Sequence, residues 1–297
     1  MKKILVIGSA NADLLNFAKR MPRLGETVEG YDFTLGAGGK GLNQSVAISK
    51  LGAEVSFIGA VGDDDYGKML LDAMKTYNIR FEGVVRKDVS TGLAFVTVVQ
   101  GDNFIIINEG ANGTVTEDVI RSREDVIKEA DFVVLQLEIP VESVLESAKI
   151  AKKYGKTVVL NPAPCKPVPE ELYSYVDILI PNEHEAAALV GFPCDTEESV
   201  KKAVKCLKEK GVGTVIITLG ERGCMYKADA ETVSVPAVKT VAVDTTSAGD
   251  SFIGGLVCRL ALGESIISAV KYATRVSSIT VSRKGAAVSI PYAEEIE

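Results

Sequence analysis

The 297 residues carry 33 lysines and arginines against 40 aspartates and glutamates, a formal charge of -7. That balance opposes nonspecific attraction to nucleic acid or an anionic membrane, so any phosphate must be held by local groups. Apolar residues make up 46% and charged residues 25%, an ordinary globular composition that excludes a low-complexity chain.

The stretch from Met1 to Asp13 holds only a short apolar run, which supports neither a signal peptide nor a membrane span and leads to the expectation of a cytoplasmic protein. Short β-branched runs then recur: Ile4 to Ile7, Val55 to Ile58, Phe132 to Leu137, Thr157 to Leu160, Ile178 to Ile180 and Val215 to Thr218. Between them, apolar residues at three and four spacing predict helices through Met69, Leu70, Ala73, Met74 and Tyr77, through Val144, Ala148 and Ala151, and through Val200, Ala203, Val204 and Leu207. This alternation predicts an α/β fold with a mostly parallel sheet between two helical layers. Two stretches, Glu26 to Leu35 and Gly92 to Asn108, run β-rich with no helix between strands and predict a small accessory sheet acting as a lid. No linker-like segment interrupts the chain, so one catalytic domain over residues 1–297 is expected, with the lid formed by about 14–36 and 91–109. A hairpin around Asp229 and Ala230 should close the sheet edge, and two apolar helices are expected after Ala248.

The glycine-rich run Leu35-Gly36-Ala37-Gly38-Gly39-Lys40-Gly41-Leu42-Asn43-Gln44 lets backbone amides approach a ligand before a helix begins. It contains G-x-G-x-x-G, yet it does not follow the first core strand, and the strand after it does not end in an acidic residue. A Walker loop is excluded because Gly41 stands where Ser or Thr should bind magnesium. A second small-residue turn, Asp244-Thr245-Thr246-Ser247-Ala248-Gly249-Asp250, leads into an apolar helix with Asp250 in its first turn. There it either caps the helix or accepts a proton from a bound hydroxyl. Asn11 and Asp13 follow the first strand and suit hydroxyl groups, while Asn182, Glu183 and Glu185 follow a later one. Glu185 is a candidate to hold hydrated magnesium, and the single histidine, His184, is expected to face solvent. One histidine excludes a multi-histidine zinc site. Five cysteines, Cys165, Cys194, Cys206, Cys224 and Cys258, lack C-x-x-C spacing and read as reduced thiols.

In order along the chain, these segments resemble the ribokinase branch of the pfkB-type carbohydrate kinases. The resemblance runs through Gly8 to Asp13, Gly38 to Gln44, Gln136-Leu137-Glu138, Asn161 to Pro164, Pro181 to Glu185, Thr218-Leu219-Gly220, Asp244 to Asp250 and Thr280 to Ala286. It implies a ribokinase-like fold and an ATP-dependent kinase acting on the O5 hydroxyl of ribose. Asp250 would be the base, with an anion hole at Ser247, Ala248, Gly249 and Asp250. Asn11, Asp13, Gly39, Lys40, Asn43 and Glu138 would hold the sugar, and Asn182, Glu185, Thr218, Gly220, Gly223 and Gly249 the nucleotide. The resemblance also implies Mg2+ near Glu185 through water, K+ near Asp244, Thr246, Thr280, Arg283, Gly285 and Ser289, and a homodimer through the lid sheets. Leu42, Ala37 and Ser247 depart from the family pattern, and Leu42 borders the sugar loop. The alternatives are a kinase for deoxyribose, another sugar or a nucleoside, a nucleotide-dependent oxidoreductase and a non-catalytic sugar-binding protein.

Overall fold

The computed structural model describes residues 2–100, 102–227 and 232–296. Its main sheet has nine strands in the order Val233–Val235, Cys224–Lys227, Thr214–Thr218, Ile178–Leu179, Thr157–Leu160, Phe132–Leu135, Ile4–Ile7, Val55–Ile58 and Arg80–Phe81. All neighbours from Thr214–Thr218 onward are parallel, and the first two pairs are antiparallel. The turn of the expected hairpin, at Asp229 and Ala230, lies outside the described residues, while its arms do close the sheet edge.

The strands read as unbroken apolar runs because helices cover both faces. In Ile4–Ile7, Ile4 and Val6 enter the core packed by helices Lys40–Lys50, Ala248–Ala261 and Ile266–Val281. Leu5 and Ile7 enter the opposite core, built with helices Val141–Lys153 and Glu197–Glu209. Successive side chains alternate across the sheet, so one four-residue strand serves both cores. Every parallel strand ends at the same edge, and the residues just past those ends, Gln136, Asn161 and Asn182 among them, meet there.

The second sheet has the order Gly30–Gly38, Asn11–Ala18, Gly92–Val99 and Asp102–Asn108. Strand Asn11–Ala18 starts ahead of the expected lid segment of about 14–36, in the polar run Ser9 to Asp13 that reads as a loop after the first core strand. It pairs antiparallel with Gly30–Gly38 and parallel with Gly92–Val99. The register separates the two faces of this small sheet. Leu35, Leu14, Phe95 and Ile106 form one cross-strand row, and Gly36, Asp13, Ala94 and Ile107 form the next, on the other face. Phe33, Leu35 and Phe95 therefore share the face away from Asp13, whereas Ile105 and Ile107 do not, a division the sequence left open. A two-stranded pair, Ala60–Gly62 with Val84–Arg86, was not expected. No described helix is long and apolar enough to cross a membrane.

Candidate active site

The site is built at the carboxyl edge of the main sheet. Asn11 is buried at the start of strand Asn11–Ala18, where the Asn112 side chain donates to its Oδ1 at 2.7 Å and accepts from the Ala10 amide at 3.0 Å. Asn112 lies in the short turn Gly110–Thr114. With its oxygen occupied, Asn11 keeps its amide hydrogens for another acceptor.

Two glycines make room beside it. A Cβ on Gly38 would fall 1.9 Å from Asp13 Oδ2, and Gly39, at φ +89°, would place one 2.9 Å from the Asn11 amide nitrogen. The glycine run thus lets the chain press against Asn11 and Asp13. Burial, the neighbouring Glu138 and then Asp250 push the Asp13 carboxyl up to about 7. Glu138 accepts from the Ser9 hydroxyl and, at 2.9 Å, from the Lys40 amide at the start of helix Lys40–Lys50. Burial opposes the Lys40 ammonium, but Asp250, Glu138 and Glu185 outweigh it and hold its pKa above the ordinary value.

Asp250 sits in the first turn of helix Ala248–Ala261 and is 7% exposed. The helix starts at Ser247 with φ 60°, a left-handed conformation that turns the chain sharply into the helix. The Ala248 amide bonds Thr245 O at 3.2 Å. The Gly249 and Asp250 amides are therefore the donors left unpaired in the first turn, at the positive end of the helix dipole. Gln44 Nε2 donates to Asp250 Oδ1 at 3.0 Å, and Asn43 Nδ2 to Oδ2 at 3.3 Å. Burial raises the Asp250 pKa, countered first by Lys40 and then by the Gln44 bond.

A cleft beside Asp250 is lined by Lys40, Asn182, Glu185, Thr218, Ser247 and Gly249 among others. Asn182 and Glu185 cap helix Glu183–Val190 reciprocally, with bonds of 2.8 Å in both directions. Asn182 also bridges to Thr218 on the adjacent strand. Burial raises the Glu185 pKa, while both its oxygens already accept from Asn182. Gly220 and Gly223 stand just beyond Thr218, outside the cleft lining. Gly223 has φ +89°, and its missing Cβ would meet Val235 O at 2.1 Å, so its glycine is already required by the neighbouring strand. His184 is exposed, and all five cysteines are free.

Of the expected cation residues, Asp244, Thr246 and Gly285 are joined by hydrogen bonds ahead of the helix start. Asp244 accepts from the Thr246 amide at 2.9 Å and from the Gly285 amide at 2.9 Å, and Val243 N reaches Val281 O at 2.7 Å. These bonds draw residues 243–246 against the end of helix Ile266–Val281 and the loop after it. Thr280 and Ser289 are buried there, and Arg283 pairs with Glu295 at 2.6 Å. Among the described residues no three His, Cys, Asp or Glu side chains gather to hold a metal ion.

A model of the pfkB family carbohydrate kinases matches residues 1–293. The chain belongs to that family. Among its carbohydrate-kinase relatives, the ribokinase of Schizosaccharomyces pombe (strain 972) is 41% identical, covering 100% of this chain and 97% of that one. The deoxyribokinase of Salmonella typhi is 36% identical, covering 98% and 96%. The structure of Arabidopsis thaliana ribokinase complexed with ribose and ATP matches at TM-score 0.94 and 32% identity, covering 99% of this chain and 97% of that chain.

Within this pfkB kinase, one departure from the family pattern has a structural answer. Leu42, in the first turn of helix Lys40–Lys50, is fully buried and packs in the core between that helix and the sheet. The residues missed as site members were Asn112, Gln44, Gln136 and Asn161. Gln136 and Asn161 carried a usable signal, a lone amide directly past an apolar strand. Asn112 carried none.

Proposed function

We propose that this chain is an ATP-dependent ribose kinase that transfers the γ-phosphoryl group of ATP to O5 of D-ribose, with Asp250 as base. The observation that supports it best is the position of the buried Asp250 carboxylate. Asp13, Lys40, Asn43 and Glu138 surround it, and a cleft bordered by Lys40, Ser247, Ala248 and Gly249 opens beside it. Asn11, Asp13, Gly39, Lys40, Asn43 and Glu138 hold the sugar, whose hydroxyls need both donors and acceptors. Asn182, Glu185, Thr218 and Gly249 line the cleft that takes the nucleotide, with Gly220 and Gly223 just beyond it.

The O5 proton passes to Asp250 as the bond from O5 to phosphorus forms and the bond to the ADP oxygen breaks. Phosphoryl transfer has a loose transition state, so alignment and charge stabilisation count for more than base strength. The Gly249 and Asp250 amides, with the helix dipole, meet the charge on the transferred group. Lys40 offsets the negative side chains around them.

Two ions belong to this reading. Glu185 has both oxygens engaged by Asn182, which fits contact with Mg2+ through water; Mg2+ supplies charge neutralisation on the phosphates. Asp244, Thr246, Thr280, Arg283, Gly285 and Ser289 offer carboxylate, hydroxyl and carbonyl oxygens without a cluster of acids, a donor set that fits K+; a bound K+ supplies positive charge behind the anion hole.

The lid completes the reading. Leu35, Phe95, Phe104 and Ile106 are each at least 44% exposed on the face away from Asp13, an apolar surface that a second copy covers in a twofold pair. The enzyme works in the cytoplasm, where ATP is available and its five free cysteines stay reduced. The test is ATP turnover with ribose, deoxyribose, fructose and adenosine as acceptors. Ribose should give the highest kcat/KM; preference for deoxyribose or a nucleoside would replace the substrate while keeping the chemistry.

A further inference from the structure

Behind Asp250 lies a chain of buried side-chain amides whose orientations are fixed from one end. Asn161 Nδ2 donates to the Ile180 carbonyl at 2.9 Å, so Asn161 must turn its Oδ1 the other way. That oxygen accepts from Gln44 Nε2 at 3.3 Å. The same Gln44 nitrogen donates to Asp250 Oδ1 at 3.0 Å, and Gln44 Oε1 accepts from Gln136 Nε2 at 2.6 Å. A flipped Gln44 would set oxygen against the Asn161 oxygen and the Asp250 carboxylate, and nitrogen against the Gln136 nitrogen. Gln44 and Gln136 are fully buried, so water cannot repair such a mismatch. The backbone carbonyl of Ile180 therefore dictates, through two side chains, what faces the carboxylate.

The two oxygens of Asp250 are consequently unlike. Oδ1 is held by Gln44, whereas Oδ2 has only the longer 3.3 Å contact from Asn43. We propose that Gln44 is a positioning residue for phosphoryl transfer: its amide occupies Oδ1 of Asp250 and leaves Oδ2 as the oxygen that takes the proton of the sugar hydroxyl. The inference rests on the kinase reading above. As the proton arrives at Oδ2, the bond from the sugar oxygen to phosphorus forms and the bond to the ADP oxygen breaks, so charge and atoms balance within ATP, sugar and Asp250. Gln44 gives up no proton.

Gln44 also stabilises the charged form of a buried base. The groups facing that carboxylate are Lys40 from its helix, Glu138 from beyond strand Phe132–Leu135, Asp13 from the lid strand and Glu185 from helix Glu183–Val190. Three of these four are acids. Without the Gln44 donor, Lys40 and Asn43 alone oppose burial and that repulsion.

The test is the pH dependence of kcat and of both KM values, between about pH 5 and pH 9, for the full chain and its variants. Gln44→Met should lower kcat about tenfold or more near neutrality, move its acidic limb up by about one pH unit, recover most of the loss at high pH and leave KM for ATP within about threefold. Gln136→Met keeps the Gln44 donor and its hold on Asn161, removes only the donor to Gln44 Oε1, and should shift the limb the same way by less. If Gln44→Met does not fold, Gln44→Glu, nearly equal in volume and still an acceptor toward Gln136, must show the upward shift. A loss of equal size at every pH, or an unmoved limb in folded variants, overturns the proposal. Wild-type turnover with ribose is read in the same experiment, so failure of the positioning role is separated from failure of the kinase reading.

Discussion

Asp13, one of the residues proposed to hold the sugar, should make the affinity for sugar depend on pH in a range where carboxylates are ordinarily silent. Its side chain is confined between Gly38 and the acids Glu138 and Asp250, and burial together with that repulsion raises its pKa from 3.8 to about 7. The group has its pKa raised, so in the free enzyme it is ionised above that value and progressively protonated below it. A sugar that donates hydroxyl hydrogens to Asp13 selects the ionised form. Ionised enzyme falls from about nine-tenths at one unit above the pKa to about one-tenth at one unit below, so the apparent Kd should rise about tenfold over that span. Binding should also release about half a proton near pH 7. Calorimetric titration with ribose, without ATP, in buffers of different ionisation enthalpy reads both quantities. Asp13→Asn should bind sugar about tenfold or more weakly and lose the proton release. An affinity that is flat between pH 6 and pH 8, or proton uptake on binding, would refute the argument from burial and neighbouring charge.

Asp250→Asn preserves shape and removes the proton acceptor, so kcat should fall by about a hundredfold or more with both KM values within about threefold, measured by coupled ADP release. Gly38→Ala introduces a Cβ 1.9 Å from Asp13 Oδ2, and should raise KM for ribose about tenfold or more while far-ultraviolet dichroism stays unchanged. Ile106→Glu puts a charge into the apolar row with Leu35, Leu14 and Phe95, and sedimentation should show a dimeric wild type and a monomeric variant.

What the sequence disclosed and what it withheld differ for physical reasons. The core strands could be read because a strand buried on both faces must be apolar throughout, and Ile4 to Ile7 or Phe132 to Leu135 has no other plausible placement. Asp250 could be placed because a small-residue turn before an apolar helix fixes where the first helical turn falls. The start of strand Asn11–Ala18 and its pairing were not legible because its partners lie in distant segments, Gly30–Gly38 and Gly92–Val99, and nothing local demands an extended backbone. The amides of Gln44, Gln136 and Asn161 act together only once helix Lys40–Lys50 and two strand ends are juxtaposed. That Leu42, in the glycine run, packs into the core follows from helical rotation, which is legible only once helix Lys40–Lys50 is placed on the sheet.

The central claim is that this chain moves phosphate from ATP to the primary hydroxyl of ribose. Phosphorus NMR of a reaction containing ATP, Mg2+, K+ and ribose tests it directly, because a phosphate on O5 couples to the two protons of C5 and one on O1 couples to a single proton. The account predicts equal formation of ADP and of a sugar phosphate whose signal is split by two protons, abolished to background in Asp250→Asn. No sugar phosphate formed from ribose, or phosphate on the anomeric oxygen, would contradict it.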